Sequence, residues 1–304
     1  MTDRAERSVL AVPASNQRMI DKALASDADV VFLDLEDAVA PDRKVASRRS
    51  VITALQGLDW RGKPRLFRMN ALDTPFFYGD LIEIVEEAGD TLDVIVIPKV
   101  NKPEDVYVIE TFLTQLEAKQ TIPRPIGLEV QIESATGLVN AHRIASASRR
   151  IEAIVFGPGD YAASIGMPVT SIGAPDEWDA TYPGHRYHYA MQKILVAGRA
   201  AGIRVIDGPF ADFKREDGLR QSAKIARSLG FDGKWCIHPS QIAVVNDVFS
   251  PNAEELAWAH RVLTTFEDAQ GEGRGAASVG DTMIDAASVR MARSTLARER
   301  VPDR

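Results

Sequence analysis

Short apolar, β-branched runs recur along the chain, each followed by a polar turn and then by a longer stretch of helical period. The runs fall at 9–13, 30–35, 65–70, 94–98, 126–132, 153–157, 203–207 and 233–238, which predicts eight strands. Their apolar positions do not alternate cleanly with polar ones, as expected of strands covered on both faces in a parallel sheet. Segments 16–25, 75–89, 103–117, 134–147, 187–201 and 217–229 carry apolar residues at helical spacing; Val106, Ile109, Leu113 and Leu116 form one such stripe. Gly202 and Gly230 stand just past two of these segments, where a helix stops most easily.

Eightfold strand–helix alternation predicts an α/β fold of the (β/α)8 TIM-barrel type. An open doubly wound sheet is the alternative. It usually carries a glycine-rich loop after its first strand, whereas here that strand ends in Pro13-Ala14-Ser15-Asn16. The barrel domain is assigned to 1–266. Within it, 167–185 is rich in Gly, Pro and aromatics and forms a long loop on the rim after strand six. Residues 270–280 contain Gly271, Gly273, Gly275 and Gly280 and read as a flexible linker. Helical character returns over 282–300, so 267–304 is assigned as a Gly-rich linker with a C-terminal lid helix.

Composition narrows the partners. The 304 residues carry 36 Lys and Arg against 43 Asp and Glu, a net charge of −7. This argues against nucleic acid as the main partner. With 45% hydrophobic and 26% charged residues the chain has the profile of a globular protein. The single cysteine, Cys236, allows no intrachain disulfide and fits a reducing compartment. Residues 1–7 lack a signal pattern, and no apolar run approaches the roughly 20 residues that span a bilayer. A cytoplasmic enzyme with no membrane partner is expected.

In a barrel of this type reactive groups project from the C-terminal ends of the strands. Those ends hold Asp34, Glu36 and Asp37; Arg68 and Asn70; Lys99; Gln131 and Glu133; Asp160; Asp207; and His238. Acids crowded into one mouth repel each other, and a divalent cation such as Mg²⁺ or Mn²⁺ relieves the repulsion through hard oxygen ligands. Glu133 follows Leu128, Val130 and Ile132 on an apolar strand, an expensive place for an unpaired carboxylate. Each residue also has a plainer reading. Asp34, Asp37 and Asp160 could be turn or helix caps, Arg68 could neutralise buried acids, and His238 and Cys236 could be packed structural residues. Zinc is not expected, because Cys236 and His238 have no partners at metal-ligand spacing.

Several segments resemble the citrate lyase β-subunit and malyl-CoA lyase family, the HpcH/HpaI aldolase group. They are Ser8-Val9-Leu10-Ala11-Val12-Pro13-Ala14-Ser15-Asn16, Leu33-Asp34-Leu35-Glu36-Asp37-Ala38-Val39, Phe67-Arg68-Met69-Asn70, Pro98-Lys99-Val100, Ile132-Glu133-Ser134 and Gly157-Pro158-Gly159-Asp160. The segments around Asp207-Gly208-Pro209 and Trp235-Cys236-Ile237-His238 are more similar to malyl-CoA/β-methylmalyl-CoA lyases than to citrate lyase β-subunits.

The resemblance implies a metal-dependent carbon–carbon lyase. It would reversibly cleave L-malyl-CoA or β-methylmalyl-CoA to glyoxylate and acetyl-CoA or propionyl-CoA. Citramalyl-CoA lyase, malyl-CoA thioesterase and citrate lyase β-subunit activities are the alternatives. It further implies that Glu133 and Asp160 hold Mg²⁺ or Mn²⁺, with Glu36 and Asp37 on metal-bound waters. Arg68 would contact the thioester or carboxylate oxygen. Arg18, Lys22 and Pro209 would bind the CoA substrate, and Asp285 on the lid would be the catalytic aspartate, the base, of a neighbouring subunit's site. A homotrimer or homohexamer follows from the same resemblance.

Overall fold

The computed structural model describes residues 6–182 and 184–299, which form two compact units divided between Asn246 and Asp247. The first unit is the expected barrel. Eight strands close in chain order: β1 (Ser8–Pro13), β2 (Val30–Asp34), β3 (Arg65–Arg68), β4 (Val94–Ile97), β5 (Gly127–Ile132), β6 (Ile151–Phe156), β7 (Arg204–Asp207) and β8 (Gly233–Cys236). Every neighbouring pair is parallel, and closure is made by Val9 opposite Trp235 and Leu10 opposite Cys236. The eighth strand ends at Cys236, two residues before the predicted end. Pro239 follows, and His238 uses its ring nitrogen to accept the Ser240 N–H instead of continuing the ladder.

The helices of this unit are α1 (Gln17–Leu24), α2 (Lys44–Gly57), α3 (Phe77–Ala88), α4 (Pro103–Gln120), α5 (Ala135–Ala145), α6 (Pro158–Ser164), α7 (Glu177–Thr181), α8 (His188–Ala201) and α9 (Glu216–Leu229). Asn16 and Ser134 start α1 and α5 by accepting the N–H groups of Met19 and Gly137. Gly202 and Gly230 end α8 and α9 in the left-handed region, at φ +72° and +110°.

The interior is packed with side chains. Val9, Phe32, Leu66, Val96, Val155, Ile206 and Trp235 form one buried apolar cluster contributed by most of the strands. At the strand bases Glu6 and Glu152 pair with Arg204. Burial, then the neighbouring Glu6, raises the Glu129 carboxyl well above the carboxylate range.

Two parts of the sequence reading are corrected here. Helix α2 is absent from the predicted set because three of its seven buried residues are polar: Lys44, Ser47 and Arg48 are buried together with Val51, Ile52, Ala54 and Leu55. The glycine-rich stretch 270–280 is not a featureless linker. Helix α10 (Ile242–Phe249) spans the division between units, and α11 (Ala253–Gly271) continues into the glycine-rich region.

In the second unit α11 is followed by an antiparallel hairpin, β9 (Ala277–Val279) and β10 (Thr282–Ile284), and then by α12 (Ala286–Leu296). Gly280 takes φ +58° in the two-residue turn, the backbone state that such a hairpin demands. Ala259, Val262 and Phe266 pack on Ile284, Val289 and Ala292, so α11 belongs with the hairpin and α12. The boundary accordingly falls at Asn246 and Asp247, ahead of the residue 266 inferred from sequence. No helix among the described residues is long and apolar enough to cross a membrane.

Candidate active site

A cleft of about 360 Å³ opens at the C-terminal ends of the strands. Its polar lining is Asp34, Asp37, Arg68, Gln131, Glu133 and Asp160; its apolar lining includes Pro13, Met19, Ile172, Pro209, Trp235 and Ile237.

Arg68 is the hub. Its Nε and Nη2 donate to the two carboxylate oxygens of Asp34 at 2.7 and 2.6 Å. Its Nη1 lies 2.9 Å from Glu36 Oε2, 3.4 Å from Gln131 Oε1 and 3.7 Å from Asp37 Oδ2. The rings of Phe32 and Trp235 flank the guanidinium, with centroids 5.8 and 5.5 Å from Cζ. Burial disfavours the charge, but Asp34, Glu36 and Asp37 outweigh it, and the guanidinium pKa is raised. The plainer sequence reading of Arg68, a neutraliser of buried acids, is thus part of what it does. It also faces the cleft.

The rim of β2 is fixed from behind. Lys44 Nζ donates to the carbonyls of Leu35 and Glu36 at 2.9 and 2.6 Å and to Asn70 Oδ1 at 2.6 Å, which uses all three ammonium protons. Asn70 donates through both its backbone N and Nδ2 to Asp80 Oδ2, and Asp80 Oδ1 accepts from Arg48. This buried ladder sets where Glu36 leaves the chain.

Glu133 extends the polar column of β5, in which Glu129, Gln131 and Glu133 alternate with Leu128, Val130 and Ile132. Its Oε1 accepts the backbone N–H of Lys99 at 2.7 Å and its Oε2 accepts Gln131 Nε2 at 2.6 Å. Burial, then the field of Glu36, pushes the carboxyl up to about 8; Arg68 opposes this and Asp160 adds to it. Asp160, in the first turn of α6, is exposed on the same cleft. A Cβ on Gly157 would lie 2.4 Å from Glu133 Cβ and 2.7 Å from its Oε2, so only glycine lets the α6 segment come this close.

Lys99 carries an unusual backbone. Its φ of +53° is left-handed for a non-glycine residue, a state that costs roughly 1–2 kcal/mol. The conformation aims its N–H at Glu133 while its Nζ reaches Glu36 Oε1 at 2.5 Å and Asp37 Oδ1 at 3.5 Å. Burial works against the ammonium, but the hydrogen bond to Glu36 and the fields of Glu36, Asp37 and Asp160 raise its pKa. For Asp37 burial is likewise the largest influence, outweighed by Arg68 and Lys99, and its pKa is lowered.

The structure therefore gathers Arg68, Glu36, Asp37, Glu133, Asp160 and Pro209 at one mouth. Arg18 and Lys22 are exposed on α1 and are not among the residues lining the cleft, although Met19 between them is. Asp285 belongs to the second unit. There it caps α12, accepting the N–H groups of Ala287 and Ser288 at 2.8 and 3.1 Å, and bonds from Ser288 and Ala287 lower its pKa. Three contributors stand among the strand-end residues of the sequence reading without an assigned role: Asp34, which grips Arg68, Gln131 and Lys99. The E-x-Q-x-E alternation over 129–133 marks Gln131, and no sequence pattern marks the left-handed backbone of Lys99.

The donor set fits a divalent cation. No group of three or more His, Cys, Asp or Glu side chains is arranged to hold a metal among the described residues. Mg²⁺, however, takes one or two carboxylates and completes its shell with water or substrate oxygens. Glu133, pushed up to about 8 by burial first and by Glu36 second, is a carboxyl short of positive partners, which a bound cation would supply.

A closed parallel barrel with a buried arginine and convergent carboxylates at its C-terminal mouth defines the class, a (β/α)8-barrel enzyme. The chain belongs to the HpcH/HpaI aldolase/citrate lyase family, which residues 7–239 match, and is a carbon–carbon lyase. It is 41% identical over 295 residues to the L-malyl-CoA/β-methylmalyl-CoA lyase of Cereibacter sphaeroides, covering 95% of this chain and 93% of the relative. It is 36% identical over 292 residues to a (3S)-malyl-CoA thioesterase of the same species, covering 96% and 94%. A crystal structure of CitE from Mycobacterium tuberculosis in complex with magnesium, acetoacetate and coenzyme A superposes with a TM-score of 0.75 at 30% identity. The match covers 97% of this chain and 98% of that one.

Proposed function

We propose that this enzyme reversibly cleaves L-malyl-CoA or β-methylmalyl-CoA to glyoxylate and acetyl-CoA or propionyl-CoA. The observation that carries the reading is Arg68, a buried guanidinium locked by Asp34 and facing the cleft that Glu133 and Asp160 line. Similarity to a lyase of this name over 95% of the chain supports the choice of substrate.

Glu133 and Asp160 would hold Mg²⁺ or Mn²⁺, with Glu36 and Asp37 orienting its waters. The bound metal would supply Lewis-acid polarisation of the 2-oxo acid carbonyl. Arg68 stabilises the negative charge that develops on the thioester oxygen when a proton leaves the adjacent carbon. Because Asp34 fixes the guanidinium beforehand, little reorganisation is needed as that charge appears. Asp285, from a neighbouring copy in a trimer or hexamer, is the proposed base for that proton. Pro209, Met19 and Ile237 give the acyl chain an apolar wall, while Arg18 and Lys22 on α1 are the proposed contacts for CoA phosphates.

The test is to incubate the protein with Mg²⁺, acetyl-CoA or propionyl-CoA, and glyoxylate or pyruvate, and to weigh the products. Condensation of glyoxylate to the malyl-CoA or β-methylmalyl-CoA mass is expected. Condensation with pyruvate alone would replace the reading by citramalyl-CoA cleavage. Release of free CoA from malyl-CoA without glyoxylate would replace it by the hydrolysis that the thioesterase relative is named for.

A further inference from the structure

Lys99 stands between the two halves of the acid cluster. Its backbone N–H is committed to Glu133 and its ammonium to Glu36 and Asp37, and the left-handed φ of +53° makes both contacts possible from one residue. The N–H bond to Glu133 anchors the residue, so the ammonium is delivered to the carboxylates and not left to wander in solvent.

Its side chain is 35% exposed, against 5% for Glu36, so the charge sits at the open side of the cluster. Arg68 already neutralises Asp34 and lies against Glu36 from the inner side. The groups that face the Lys99 ammonium are therefore Glu36, Asp37 and, through its field, Asp160.

We propose that Lys99 is a resident counter-ion that sets the affinity of the Glu133–Asp160 site for its divalent cation. A positive charge fixed in the cluster lowers the negative potential that a cation entering beside Glu133 and Asp160 experiences. It also keeps Glu36 and Asp37 compensated when no cation is bound. Binding of metal is thus linked to the Lys99 charge and is weaker than the carboxylates alone would make it, which keeps the metal exchangeable. The inference rests on the reading of Glu133 and Asp160 as metal-holding residues.

The experiment uses the full-length protein, stripped with EDTA and freed of chelator, and titrates it with Mn²⁺ alone while free Mn²⁺ is followed by electron paramagnetic resonance. Lys99→Met keeps the aliphatic stem and removes the charge; it should bind Mn²⁺ on the order of tenfold more tightly than wild type. Lys99→Arg keeps the charge and should bind within about twofold of wild type. Glu133→Gln should bind poorly. If Lys99→Met does not fold, Lys99→Gln replaces it. Equal or weaker Mn²⁺ binding by the neutral variant overturns the proposal while leaving the metal site in place. If wild type itself binds no Mn²⁺, the metal reading fails and this inference fails with it.

Discussion

Asp34 grips Arg68 with both carboxylate oxygens, at 2.7 and 2.6 Å, from the neighbouring strand of the barrel. Asp34 is 1% exposed and Arg68 5%, so neither charge has water to fall back on. Asp34 also accepts the N–H groups of Glu36 and Ala38, which folds the β2 rim around the guanidinium.

Replacing Asp34 by Asn leaves a buried guanidinium without its main partner. Unfolding free energy should drop by about 3 kcal/mol, the usual cost of breaking a buried pair. The rate should fall on the order of 10²–10³-fold through lost preorganisation of Arg68. Urea denaturation and steady-state cleavage of malyl-CoA measure the two effects. A variant with unchanged kcat would show that Arg68 does not depend on Asp34 for its placement.

Glu133 gives a pH dependence with a definite sign. In the metal-stripped protein its carboxyl is raised from 4.5 to about 8. The folded state then holds a proton that the unfolded chain has released, so stability should decline as pH rises from about 4.5 to about 8. Glu133→Gln should lose that decline in urea titrations with EDTA present, and should lose metal-dependent turnover while remaining folded. A wild-type profile that stays flat across this window would contradict the buried, uncompensated carboxyl.

Asp285 has two separable properties, its cap on α12 and its charge. Asn is as good an N-cap as Asp, so Asp285→Asn should keep the helix, judged by circular dichroism, yet lose turnover by at least about 10²-fold if the carboxylate is the base. Mixed with Arg68→Ala chains, it should regain activity in assemblies where one subunit supplies each part. No recovery at any mixing ratio would count against a site shared between copies.

Cys236 is fully buried, and burial pushes its thiol up to about 12, with Lys234 opposing. The native protein should resist a thiol reagent such as iodoacetamide at pH 8 and react once unfolded in urea. Rapid native labelling, read by mass spectrometry, would mean that the β8 end opens readily.

Much of this site was legible because barrel strands present their chemistry at their ends. The motifs ending in Glu36-Asp37, Arg68, Glu133 and Asp160 are local, and the fold brings them to one mouth by its regular closure. Residues whose importance depends on a partner far along the chain were not legible. Lys44 gives no signal until Asn70 and the Glu36 carbonyl are beside it, and Gln131, visible in sequence only as one more polar strand-end residue, gains its role when it lies between Arg68 and Glu133.

The sequence by itself determined the strand–helix alternation, hence the barrel, and the identity of the carboxylates and arginine at its rim, because hydrophobic period and strand-end position are local properties. Only the tertiary structure decided which charges compensate which. It paired Arg68 with Asp34, left Glu133 with hydrogen bonds but an elevated carboxyl, turned Lys99 into the left-handed region, and placed a hairpin with Gly280 at its turn at the end of a stretch that composition alone reads as slack. The reason is physical: electrostatic energy depends on distance and burial in space, and neither follows from separation along the chain.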